Sequence, residues 1–266
     1  MTETITSFQN PRIKQVKRLR DKKSRLDEGL FVIDDGRDLS RAIELGFSPE
    51  YALACPPLLK ASEKKLLYDN FYENQVFHVT REIMESVGYR ENPSGMVTVM
   101  KSIPPKGKAD LSQITDNLIL VLVNLQKPGN IGALMRTADA TGFKYIFLVD
   151  TTLDLYNPNI IRSSTGACFL NNIYALSSQE ALNFLKSGGY NIVSAVVDGD
   201  KSLFEANFKQ KTAVVLGTED DGLPPFWIQS ATENVKIPMV GQLSDSFNVS
   251  VSGAIFMMEA LRQNLF

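Results

Sequence analysis

The chain is poor in cysteine and almost without histidine, and each shortage narrows what it can do. Cys55 and Cys168 are its only cysteines, far apart and outside any Cys-x-x-Cys. Neither a disulfide framework nor a zinc site is indicated, and a reducing, cytoplasmic setting is expected. His78 is the single histidine, so a His-dependent triad or a multi-His metal centre would have to be built around it. It lies in the strand-like run Val-Phe-His-Val-Thr at 76–80, where packing or a strand-edge hydrogen bond is the ordinary use, and no metal is expected. Also missing are an apolar run near the roughly 20 residues that span a bilayer and the apolar core of a signal peptide, so a soluble protein with no membrane partner is expected. Charge of one sign is not in surplus either. With 28 Lys and Arg against 30 Asp and Glu the net charge is -2, which excludes a chain coated in positive charge and leaves room for a local basic patch.

What is present is an ordinary globular composition over 266 residues, enough for one large or two ordinary domains. Asn10-Pro11 is a helix start, with Ile13, Val16 and Leu19 as a narrow apolar stripe. Around that stripe eight of the fourteen residues from Arg12 to Arg25 are Lys or Arg, with Asp21 as the only acid. The run reads either as a solvated helix face or as a contact for RNA phosphates through Arg12, Lys14, Lys17 and Arg18. Strand and helix patterns then alternate: strand Leu30–Asp34, helix Leu39–Leu45, strand Tyr51–Cys55, helix Leu58–Glu73, strand Val76–Thr80, short helix Glu82–Val87 and strand Met96–Met100. Residues 101–110, rich in proline and charge, read as a linker between a domain over 1–105 and another over 115–266.

Three stretches of the second half carry the chemistry. In the first, the apolar run Leu118–Leu125 reads as a buried strand, Pro128-Gly129 as a turn and Asn130 as the N-cap of a helix. Ile131, Leu134, Met135 and Ala138 form that helix's apolar stripe, and Arg136 projects away from it. The turn by itself resembles any strand-to-helix connection, since Gly-x-x-Gly is neither a dinucleotide fingerprint nor a phosphate loop. In the second, the strand Ala213–Leu216 breaks at Gly217 into an acidic loop, where a glycine lets another molecule approach the backbone and Glu219 could hold a hydroxyl or a cation. The third runs from a short strand at Val235 through a polar loop to a long helix. Val251, Ala254, Ile255, Met258 and Leu261 read as its main apolar stripe, and Phe256 and Met257 widen it enough to imply burial on two sides, against the core or in a dimer. Between these lie strands Tyr145–Val149, Ile173–Ala175 and Ile192–Val197 with helices Pro158–Ser163 and Gln179–Lys186. That alternation argues for a mostly parallel α/β sheet with ligands at its carboxyl ends.

Together the three stretches resemble the SpoU, or TrmH, family of RNA ribose methyltransferases in the SPOUT superfamily. Asn130-Ile-Gly-Ala-Leu-Met-Arg136 matches the family's first motif and Gly217-Thr-Glu-Asp-Asp-Gly-Leu223 the second. Ile237-Pro-Met239 with Ser246-Phe-Asn-Val-Ser250 matches the third, with Phe247 where the family usually has leucine. Residues 2–101 resemble its N-terminal substrate-binding domain, similar to small RNA-binding ribosomal proteins. The resemblance implies a SPOUT-type parallel sheet with a deep trefoil knot, preceded by a smaller α/β RNA-binding domain. It also implies S-adenosyl-L-methionine held in the knot loops, and a homodimer whose active site draws on both chains. The implied reaction methylates a ribose 2′-hydroxyl in structured RNA, ribosomal RNA rather than transfer RNA. A transfer RNA enzyme and a non-catalytic RNA-binding assembly protein of the same fold are the alternatives.

For the cofactor the resemblance points to Leu216, Gly217, Thr218, Ile237, Met239, Ser246 and Phe247, and for catalysis to Asn130, Arg136, Glu219 and Asn248. It assigns Arg136 to deprotonating the hydroxyl, but a guanidinium has no free lone pair with which to accept a proton. Gripping a neighbouring phosphate and stabilising the developing alkoxide is the role its chemistry allows, with the proton leaving to that phosphate or to water. Asn130 is expected to orient Arg136 or the ribose, Glu219 to hold Arg136 or the turn, and Asn248 with Ser246 to fix the loop around the methyl donor.

Overall fold

Short β-branched runs build two separate sheets in the computed structural model, which describes residues 4–89, 94–243 and 245–265. The chain divides into two units, one reaching to Pro104 and taking in Asp154–Phe169, the other formed by Pro105–Leu153 and the chain from Leu170 onward.

The first unit opens with α1 (Pro11–Arg18) and α2 (Lys22–Glu28). The basic run is therefore two helices. Leu19 caps the end of the first, and Asp21 caps the start of the second, accepting from Ser24 N–H at 3.1 Å. There follow β1 (Leu30–Ile33), α3 (Gly36–Glu44), β2 (Pro49–Ala54), α4 (Ala61–Asn70), β3 (Val76–His78), α5 (Arg81–Val87) and β4 (Met96–Lys101). The helix expected over 58–73 is shorter at both ends, because Leu58 and Leu59 turn back on the Cys55 carbonyl and Phe71 is already extended. The sheet order is β1-β4-β2-β3, antiparallel except for the β2/β3 pair. Ile13 and Val16 of α1 and its C-cap Leu19 pack with Ile83, Met84 and Val87 of α5 over Val32, Leu53, Val97 and Val99 of the sheet.

The second unit is a seven-stranded parallel sheet. Its elements are β5 (Leu118–Val123), α6 (Pro128–Thr141) and β6 (Tyr145–Val149); after α7 (Pro158–Ser164), which belongs to the first unit, come β7 (Ile173–Leu176), α8 (Ser178–Ser187), β8 (Asn191–Ala195), β9 (Lys201–Ser202), β10 (Thr212–Leu216), α9 (Pro225–Ser230), β11 (Glu233–Lys236) and α10 (Val249–Leu265). The order β7-β6-β5-β10-β8-β11-β9 puts β5 and β10 at the centre. Every side chain of β5 and β10 is buried, as expected of strands covered on both faces, and each Val or Leu so removed from water contributes about 1.5–3 kcal/mol before entropy is charged against it.

Tyr156 of the 154–169 segment stacks on Phe31 at 4.3 Å between ring centroids, and Phe169 meets Phe47 at 5.2 Å. Arg25 Nε donates to Asp154 Oδ2 at 2.6 Å, with both side chains buried. Cys55 and Cys168 are both buried, and burial pushes the Cys168 thiol up to about 12. Among the described residues no helix is long and apolar enough to cross a membrane.

α10 corrects the periodicity. Val251 and Met258, expected in its core stripe, are 45% and 54% exposed, while Gly253, Phe256, Met257 and Ala260 face inward. The reason is the neighbour. α10 lies on α6, and a Cβ at Gly253 would sit 2.3 Å from Leu134 Cδ2, so the small residue sets which face approaches.

Candidate active site

The site forms where β5 and β10 end, at the centre of the parallel sheet, the place such sheets reserve for ligands. Past β5 the backbone of Asn124 turns left-handed at φ 55, and α6 begins at Pro128 with Lys127 as N-cap. A proline at the first helical position gives up no needed N–H. Asn130, expected as the cap, therefore stands inside the first turn, and its side-chain amide is free to act elsewhere. It donates to Glu219 Oε1 at 2.6 Å.

Glu219 is carried by the loop that leaves β10. Thr218 and Gly222 exchange backbone hydrogen bonds of 3.0 and 3.1 Å, Gly222 takes φ 66, and Asp221 N–H donates to Thr218 Oγ1 at 3.1 Å. Gly217 has no room for a side chain, since a Cβ there would lie 2.2 Å from the Gly222 carbonyl oxygen. So folded, the loop turns the Glu219 carboxylate towards three donors: Lys127 Nζ, Asn130 Nδ2 and Asn248 Nδ2. The hydrogen bond from Lys127 is the main reason that the Glu219 carboxyl is held below its usual range, aided by Asn130 and the Val249 N–H, and in return the Lys127 ammonium is held above its own. Asn248 also serves α10: its Oδ1 accepts from Ser250 N–H at 2.9 Å and Oγ at 2.6 Å, which satisfies part of the helix's unpaired N-terminus. One carboxylate thus ties together three stretches separated by 89 and 29 residues.

Beside this network opens a cleft of about 750 Å³, within the size range of small-molecule sites. All seven residues expected at the cofactor, Leu216, Gly217, Thr218, Ile237, Met239, Ser246 and Phe247, line it. Among the described residues six carboxylates, those of Asp198, Asp200, Glu219, Asp220, Asp221 and Asp245, also line it, and no Lys or Arg does. The wall suits a cationic ligand with an apolar body. Asn234 is a lining residue that sequence reasoning missed. Its Nδ2 donates to the Ile228 carbonyl at 3.1 Å while its buried Oδ1 has no partner among the described residues, so a ligand that brings an N–H donor, as an adenine amino group does, fits it. Lys127 was missed as well. The available signal was its place three residues before Asn130, facing an acidic loop whose distance in the chain hides the pairing.

Arg136 stands apart from this network. It is exposed on α6, opposite the buried Ile131, Leu134, Met135 and Ala138, and among the described residues it makes no hydrogen bond or ion pair. Asn130 and Glu219 spend their polar atoms on each other, on Lys127 and on Asn248 instead. In the first unit Arg12, Lys14 and Arg18 line a concavity of about 540 Å³ on the outer side of α1. Lys17 lies half-buried with its ammonium 5.1 Å from the Phe8 ring, and Arg18 pairs with Glu28 at 3.4 Å.

Residues 117–258 match the model of the SpoU rRNA Methylase family, and residues 10–98 match that of an MRM3-like substrate binding domain. A 23S rRNA (adenosine(1067)-2′-O)-methyltransferase of Streptomyces laurentii is 32% identical over 88% of this chain and 86% of its own length. A crystal structure of an RNA 2′-O ribose methyltransferase superposes with a TM-score of 0.85 at 35% identity, covering 99% of this chain and 100% of the other. An AdoMet-bound rRNA methyltransferase from Sinorhizobium meliloti shares the fold, with a TM-score of 0.84 at 23% identity over 98% of this chain and 97% of that one.

Proposed function

Because the chain belongs to the SpoU rRNA methylase family, we propose that its acidic cleft holds S-adenosyl-L-methionine and that the protein methylates a ribose 2′-hydroxyl in ribosomal RNA. The observation that carries this reading is the junction of three distant stretches on Glu219, beside a cleft whose walls are the residues expected at the cofactor. When bound, S-adenosylmethionine supplies a methyl group on a sulfonium, open to displacement by an oxygen nucleophile.

The chain's own residues bind and orient. Leu216, Ile237, Met239 and Phe247 offer apolar wall, Thr218 and Ser246 polar contacts, and Gly217 bare backbone. The surrounding carboxylates favour positive charge. Asn130, Glu219 and Asn248 fix the loops relative to one another, so that the donor and the attacking hydroxyl meet at near-attack distance. Arg136 grips a phosphate next to the target ribose and stabilises the developing alkoxide, with the proton passing to that phosphate or to water.

Since Arg136 makes no bond to the Glu219 network of its own chain, it would serve the cleft of a second copy, and a homodimer is part of the proposal. The open face of α10 supports it: Val251, Met258 and Leu265 recur every seven residues and are 45%, 54% and 64% exposed, a stripe a partner would cover. A deep trefoil knot in the second unit, residues 115–266 as the catalytic domain, an RNA grip through Arg12, Lys14, Lys17 and Arg18 of a domain over 1–105, and residence in the cytoplasm complete the reading.

Calorimetry with S-adenosylmethionine and with NAD, and mapping of ribose methylation in RNA from cells with and without the gene, test it together. Stoichiometric binding of the first ligand alone and one missing 2′-O-methyl mark in ribosomal RNA are expected. A missing mark in transfer RNA would move the substrate, and cofactor binding with no missing mark would favour an assembly protein.

A further inference from the structure

Among the basic residues of α1, Arg12 lies nearest to an aromatic ring. Its guanidinium carbon lies 3.7 Å over the centroid of the Phe77 ring and 5.9 Å from that of Tyr51. The support beneath it is braced. Tyr51 and Phe77 meet edge to face with centroids 6.0 Å apart, and the Tyr51 hydroxyl donates to Gln15 Oε1 at 2.9 Å while Gln15 Nε2 donates to Glu28 Oε2 at 2.7 Å. Yet Arg12 is exposed, and among the described residues its guanidinium makes no hydrogen bond or ion pair. A planar cation is thus held over an aromatic ring with its N–H donors unspent, at the edge of a concavity of about 540 Å³ shared with Lys14, Gln15 and Arg18.

A residue that only neutralises a phosphate gains nothing from being held over a ring, since a flexible ammonium does that as well. A fixed guanidinium plane does offer something else, a face on which an unpaired base can stack, which is how single-stranded RNA is commonly held. At 100° per residue Lys14 and Arg18 project from the outermost line of α1, where they would meet the phosphates on either side of such a base.

We propose that Arg12, backed by Phe77, is a stacking platform for an unpaired base of the RNA substrate, with Lys14 and Arg18 as the flanking phosphate contacts. The proposal rests on the RNA-modifying reading above and adds to it that the substrate is gripped at a single-stranded nucleotide.

The test compares Arg12→Lys, Arg12→Ala and Lys14→Ala in the full chain. Its probes are a 12-nucleotide single-stranded RNA carrying one 2-aminopurine and a 20-base-pair RNA duplex, each titrated at several salt concentrations. Arg12→Lys keeps the charge and removes the plane. It is expected to weaken the single strand at least about fivefold with no change of salt slope, to abolish the quenching of 2-aminopurine expected with the parent chain, and to leave the duplex within about twofold. Lys14→Ala is expected to weaken both RNAs and to flatten the single-strand slope by about 0.7. Single-strand affinity and quenching unchanged in Arg12→Lys would overturn the platform while leaving RNA binding intact. Equal losses on both RNAs with a changed slope in Arg12→Ala, and no loss in Arg12→Lys, would overturn it too, in favour of a simple phosphate contact. A parent chain that binds neither RNA, though it binds S-adenosylmethionine, would overturn both the platform and the RNA reading. Unchanged melting temperatures in the variants exclude a folding defect.

Discussion

Glu219 accepts hydrogen bonds from Lys127, Asn130 and Asn248, so the chemistry of one carboxylate decides whether three loops stay in register. Glu219→Gln would offer one oxygen where two are used and turn an amide N–H₂ towards Lys127 or the asparagines. Hydrogen bonds to a charged group contribute about 1.5–3 kcal/mol each. We therefore expect the rate of methyl transfer to fall at least about tenfold, while the melting temperature moves by only a few degrees because the carboxylate lies at the surface of the fold. Arg136→Ala is expected to abolish transfer and to leave S-adenosylmethionine affinity within a few fold, as a tritiated-methyl assay beside calorimetry would show; retained activity would remove Arg136 from the mechanism. The pH dependence follows from the pair. The hydrogen bond from Lys127 lowers the Glu219 pKa, so whatever the ionised carboxylate contributes is present above its unfolded value and is lost as pH falls through the lowered one, below the ordinary range near 4.3. Lys127 is shifted upward, so its proton is lost only above the ordinary lysine range near 10.4. Cofactor affinity should therefore be level from pH 6 to 8, and a titration centred in that window would show that neither group is paired as described. Asn130, Glu219 and Asn248 were legible in the sequence as members of motifs. Lys127 was not, because its partner is 92 residues away and nothing local marks the pairing.

Secondary-structure elements were read best where one packing surface decides the pattern. The stripe of α6 fell where 3.6-residue periodicity placed it, with Ile131, Leu134, Met135 and Ala138 fully buried. α10 was misread because it is apolar on more than one side, and pattern cannot say which apolar side the chain itself covers. Gly253 supplies the answer through its close approach to Leu134. Two tests belong to this scale. Gly217→Ala would push a methyl into the Gly222 carbonyl, and we expect a loss of about 1–3 kcal/mol, the usual cost of overpacking, read as a lower denaturation midpoint together with weaker cofactor binding. Val251→Asp with Met258→Asp places charges on the open face of α10 and should yield a folded monomer by sedimentation that binds RNA but no longer methylates it. A double variant that remains dimeric and active would send the dimer contact elsewhere.

At the scale of the whole molecule, alternating strands and helices announced a parallel α/β sheet, but the strand order β7-β6-β5-β10-β8-β11-β9 could not be read from the chain. Order depends on which strands the connections carry past one another, and periodicity is blind to that. The membership of 154–169 in the first unit was equally hidden, because it rests on aromatic contacts such as Phe31 with Tyr156 and on the Arg25–Asp154 pair, partners more than a hundred residues apart. Charge is uneven as well: the net -2 of the chain covers a basic α1 and an acidic cleft. Replacing Lys14, Lys17 and Arg18 together by alanine should lower affinity for single-stranded RNA and flatten its salt slope by up to about two units. An unchanged slope would make that face a solvated one. The burial of both thiols, finally, has a practical use. Cys55 and Cys168 are each 1% exposed, so maleimide dyes should leave the native protein unmarked, and Tyr72→Cys, at a position 80% exposed, would carry the sole reactive handle for a fluorophore without either natural cysteine being removed.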